Sequence, residues 1–123
     1  MSELNMFDWN EFKILAEKLK NEKDEASQRT AISRLYYAIY WKARLQIISK
    51  GYRYVRNQSS HKQIWDEYLR KSGLDNQDIG NKGKELHKNR IKADYFDEIK
   101  KLNDLVEDSF LVADEILVIL KRV

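Results

Sequence analysis

The chain has no cysteine, no proline, four glycines and two histidines in 123 residues. Without cysteine there is no disulfide framework, no thiolate metal site and no cysteine nucleophile. Two histidines are too few for a histidine-rich metal centre, so neither a metal nor another cofactor is expected. Any chemistry must come from His, Asp, Glu, Lys, Arg, Ser or Tyr. The lack of proline and glycine also removes the turn residues on which strand-rich folds depend, which predicts long helices and few turns. No run of eighteen apolar residues occurs, and Met1–Asn5 lacks the basic start and apolar core of a signal peptide. A cytoplasmic chain without membrane contact is expected, folded as one domain over residues 1–123 with a modest core.

Charge is plentiful but unevenly placed. The net charge is only +3, yet residues 42–92 carry thirteen Lys and Arg against five Asp and Glu, leaving the remainder acidic. A basic middle can steer a polyanion, and it can equally be the solvated face of a small helical protein.

The apolar pattern has helical spacing almost throughout. A first helix is predicted from Asp8 to about Lys20, with Phe12, Leu15, Ala16 and Leu19 on one face. A long second helix runs from about Ala26 to Ser49, where Gly51 suits the end. Tyr36, Tyr37, Tyr40 and Trp41 surround most of its circumference, which predicts a central helix covered by several neighbours. Residues 50–60 read as a loop. Ser60 is a candidate cap for a third helix from His61 to about Lys71, stopped by Ser72 and Gly73. The fourth runs from about Asn76 to Lys92, and its inner stripe of Ile79, Gly83, Leu86, Arg90 and Ala93 includes an arginine, which must find a partner or line a cleft. A break at residues 94–97, with Asp97 as cap, precedes a last helix to about Arg122. The expected fold is all-α: an antiparallel up-and-down bundle of four main helices plus a shorter one.

Few residues suggest chemistry. No phosphate-binding glycine loop or nucleophile elbow is present. His87 lies three residues before Arg90, close enough on a helix for acid–base work on a phosphodiester, although an exposed helix histidine explains it too. His61 at a helix start is read as structural. Arg34, among aromatic neighbours, is expected to form an ion pair, for instance with Asp94, or to stack on a ring. Arg53 and Arg56 interleave with Tyr52 and Tyr54, and with Lys62 nearby they form a candidate RNA contact in which cations meet phosphates and rings meet bases. Tyrosines folded back onto the bundle would account for the same loop.

Three segments together, Ala31-Ile32-Ser33-Arg34-Leu35-Tyr36-Tyr37-Ala38-Ile39-Tyr40, Ser60-His61 and Arg90-Ile91-Lys92-Ala93-Asp94-Tyr95, resemble the HEPN superfamily, in particular its short prokaryotic members. The resemblance covers about residues 8–122. It implies a helical bundle that commonly forms a homodimer, often beside a minimal nucleotidyltransferase in toxin–antitoxin or defence modules. Many such proteins are metal-independent RNA endonucleases whose arginine is followed, after four to six residues, by a histidine. Here Arg90 takes the arginine position, but Tyr95, Phe96 and Asp97 stand where the histidine belongs. The expectation is a dimeric partner that binds RNA, a nucleotidyltransferase, or both, and lacks the full nuclease motif. Two alternatives are a ribonuclease using Arg90 with Tyr95 or His87, and a protein-interaction module without nucleic acid. In a structural role, Arg90 would pair with Asp94 one helical turn away.

Overall fold

A computed structural model describes residues 6–123. It contains α1 (Asn10–Leu19), α2 (Glu25–Ser49), α3 (Ser60–Arg70), α4 (Leu74–Tyr95) and α5 (Leu102–Leu120), and no strand among the described residues. The chain is therefore the expected all-helical bundle, with α2 to α5 as its main helices and the shorter α1 packed on α2.

Helix α2 packs against every other helix. Ile32, Leu35, Tyr36, Ile39, Tyr40, Ala43 and Ile47 are all buried, and apolar side chains on several sides of one cylinder need a neighbour on each. Asp24 starts the helix by accepting a hydrogen bond from the Ser27 amide at 2.9 Å. Trp9, just before α1, stacks on Trp41 with ring centroids 4.6 Å apart, which fixes α1 against α2. Helices α3, α4 and α5 follow one another in antiparallel sense: His61 meets His87 while Trp65 meets Gly83, and Asn89 meets Ser109 while Asp75 meets Arg122. The loop between α2 and α3 turns back along α2, so that Ser60 lies beside Tyr40 and Tyr68 donates to the Ala43 carbonyl.

Several boundaries differ from the sequence reading. Helix α4 continues through Asp94 to Tyr95 rather than ending at Lys92. Arg29 of α2 explains the extension, because its guanidinium donates to the carbonyls of Ala93, Phe96 and Asp97 and so satisfies groups at the helix end. Asp97 does not cap α5, which starts after Lys101 in a left-handed conformation (φ 57°). At α3 the cap is Ser59, whose hydroxyl accepts from the Lys62 amide, and Ser60 is the first helical residue.

Candidate nucleic-acid interface

The close approach of α3 to α4 determines what meets at the site. Gly80 and Gly83 face α3, and a Cβ on Gly83 would run into the Trp65 ring. With Trp65 seated on Gly83, the next turn of each helix brings His61 against His87. The chain's only two histidines lie 26 residues apart in sequence and stack with centroids 4.9 Å apart, 7° from parallel.

Three hydrogen-bond chains run into this cluster. Trp65 Nε1 donates to Tyr36 Oη at 3.1 Å, and Tyr36 Oη lies 2.8 Å from His61 Nδ1. Arg44 Nη1 donates to Tyr40 Oη at 2.9 Å, and Tyr40 donates to Ser60 Oγ at 2.8 Å. Arg90 Nη2 lies 3.2 Å from His87 Nε2, while its Nη1 donates to Asp94 Oδ2 at 3.3 Å. Ser33 Oγ donates to the same Asp94 oxygen.

Arg90 is 8% exposed, and its guanidinium carbon lies 5.7 and 5.4 Å from the centroids of the Tyr36 and Tyr37 rings. Its Nε is buried without a hydrogen-bond partner among the described residues. The inner arginine thus has a carboxylate, an imidazole and two ring faces around it. Burial holds the Tyr36 phenol above its ordinary range, so it keeps its proton. Burial, with His87, Arg90 and Arg44 close by, lowers His61 to about 4, and burial with Arg90 lowers His87. Both imidazoles are neutral in neutral solution.

An open groove of about 710 Å³ adjoins the cluster, with His87 on its wall. Lys62, Lys84, Lys88 and Lys92 line it around exposed apolar surface from Ile91 and Phe96, with the buried Trp65 ring beneath. Lys62 and Lys84 both bridge Asp66, whereas Lys88 and Lys92 have no ion pair among the described residues.

The residues singled out from sequence fall into separate groups. His61, His87, Arg90, Tyr36, Tyr37 and Asp94 come together in the cluster, and Lys62 lines the groove. Tyr95 does not join them: it is 72% exposed, and its side chain makes no hydrogen bond or ring contact among the described residues. Arg34 does not pair with Asp94, which Arg90 occupies; it lies 4.9 Å from the centroid of the Phe12 ring, so stacking is the outcome there. Arg53 and Arg56 are exposed and border a smaller hollow with Tyr52 and Tyr54. The Tyr54 ring is covered by Arg44 at 4.3 Å, and Tyr52 packs against the core and reaches Gln63.

The sequence marked Tyr40 as part of the aromatic central helix but did not assign Tyr40, Arg44, Trp65 or the lysine stripe to a site. The stripe was readable, since Lys84, Lys88 and Lys92 recur every four residues along one helix face. The partnership of Tyr40 and Arg44 with Ser60 depends on the loop folding back along α2, which local spacing does not encode. Among the described residues, no group of three or more His, Asp or Glu could hold a metal ion, and no helix is long and apolar enough to cross a membrane. Comparisons with protein-family models, curated proteins and solved structures give no match to this chain.

Proposed function

We propose that the protein binds single-stranded RNA in the lysine-lined groove, with the His61, His87 and Arg90 cluster beside the bound strand. The observation that carries this reading is the pairing of four lysines with apolar surface in one open channel. Cations along a groove meet phosphates, and exposed apolar and aromatic groups between them meet bases without requiring one sequence. Lys88 and Lys92, without carboxylate partners among the described residues, contribute most to the field. Fluorescence anisotropy of a labelled oligonucleotide over a salt series tests the reading. Affinity should fall steeply with salt, and Lys88→Glu should weaken binding at least about tenfold and flatten the salt dependence. Equal binding by the variant would refute the groove as the site.

A second reading, cleavage of RNA without a metal, is favoured by the contact between Arg90 and His87. A neutral imidazole can take a proton from the 2′-hydroxyl as that oxygen attacks the adjacent phosphorus, a guanidinium can stabilise the resulting charge, and the departing 5′-oxygen gains its proton from water. His87 Nε2 serves as base only once Arg90 turns from it to the phosphate. RNA incubated with the protein in chelator, against an Arg90→Ala control, decides between binding alone and Arg90-dependent cleavage.

The wider setting rests on the HEPN-like motif order. It comprises a homodimer and a minimal nucleotidyltransferase partner within a toxin–antitoxin or defence module. Sedimentation of the purified chain tests the homodimer.

A further inference from the structure

The hydrogen-bond chains have a common polarity. A guanidinium and an indole N–H only donate. Arg44 therefore donates into Tyr40, Tyr40 donates a hydrogen bond to Ser60, and the Ser60 hydroxyl hydrogen has no acceptor among the described residues. Trp65 donates into Tyr36, and Tyr36, which keeps its proton, donates a hydrogen bond to His61 Nδ1, so neutral His61 carries its hydrogen on Nε2. Arg90 donates into His87 Nε2, so neutral His87 carries its hydrogen on Nδ1. Each chain starts on an obligate donor, and each ends on a group whose remaining capacity is to donate.

We infer that Ser60, His61 and His87 form a receptor for one phosphate group, held by three spare donors without protonation of either imidazole. Ser60, His61 and His87 are all half-buried, so they remain reachable from solvent, and Ser59 and His87 line the groove. Ser60 and His61 also form the start of α3, where first-turn amides and the helix dipole favour an anion. The surrounding charges are mostly positive: Arg44 from α2 and Arg90 from α4, with Asp94 the carboxylate that Arg90 engages. Tyr36, Tyr37 and Tyr40 complete the wall from α2. A bound phosphate would accept hydrogen bonds from the three spare donors and offset the positive surroundings that disfavour charge on His61. For the source of that phosphate the inference rests on the RNA reading above; for its chemistry it rests on the hydrogen bonds.

Nitrogen-15 spectra of the histidine side chains test it, recorded near pH 7.5 on the full chain. Without ligand, His61 should appear as the Nε2–H tautomer and His87 as the Nδ1–H tautomer. Inorganic phosphate should move both rings saturably and raise the titration midpoint of His61. Ser60→Ala and His61→Phe, each with a folded amide spectrum, should weaken phosphate binding at least about tenfold. His87 found as the Nε2–H tautomer, rings unmoved by phosphate, or unchanged affinity in both variants would overturn the inference. Two further arms use a short RNA with and without a terminal phosphate. Tighter binding of the phosphorylated strand assigns the site to a strand end, and equal binding with both rings moving assigns it to a backbone phosphodiester. RNA binding that leaves both rings unmoved by any ligand defeats the phosphate site and spares the groove, whereas phosphate binding without RNA binding does the reverse.

Discussion

At the residue scale, the cluster depends on groups whose protonation is fixed by their neighbours. His61 and His87 both have lowered values in the folded chain, so below the ordinary imidazole range the unfolded chain binds more protons than the folded one. The stability that neutral imidazoles contribute is complete above about pH 6.5, the ordinary imidazole value. It is lost as the solution is acidified toward about 4, the folded value of His61. Urea midpoints should therefore fall across that window, and His61→Phe should flatten the fall. Glu85 acts in the opposite sense, because burial and Asp108 raise it, so the comparison with the variant isolates the histidine contribution. A midpoint independent of pH in the native chain would contradict the neutral buried pair. Tyr36 joins Trp65 to His61, and Tyr36→Phe leaves the buried indole N–H without its acceptor. We expect a loss of about 1–3 kcal/mol in denaturant unfolding.

At the element scale, the meeting of α3 and α4 is the decisive packing event. Gly83 leaves the space that the Trp65 ring fills, and the same register stacks His61 on His87 one turn away. Gly83→Ala should force the ring aside and destabilise the fold by about 1–3 kcal/mol. It should also change the ring-current shifts of the two histidines; unaltered stability and shifts would show that α3 tolerates displacement. Much of this scale was legible in the sequence. The α4 stripe placed Gly83, Leu86 and Arg90 inside, and the aromatic circumference of α2 marked it as central, because both follow from helical spacing alone. The termination of α4 was not legible, since Arg29 reaches its last carbonyls from a helix more than sixty residues away in sequence. Likewise, the 26-residue step from His61 to His87 carries no local signature. Arg34 looked like half of an ion pair because its local neighbours are aromatic, yet the Asp94 carboxylate is held by Arg90 one turn before it.

At the scale of the whole molecule, the basic middle of the chain separates into two surfaces. Residues 50–59 expose Arg53 and Arg56 beside tyrosines already packed or covered, whereas α3 and α4 gather four lysines around an open apolar channel next to the histidines. A bound strand needs cations and accessible apolar surface together, and the groove provides both. The most direct measurement is the map of backbone and Trp65 indole resonances that shift when single-stranded RNA is added to the labelled chain. Shifts should concentrate at Lys62, Trp65, Lys84, His87 and Lys88, extending to Ser60 and His61. Shifts centred on Arg53 and Arg56 with the groove silent, or no shifts at low salt, would contradict it.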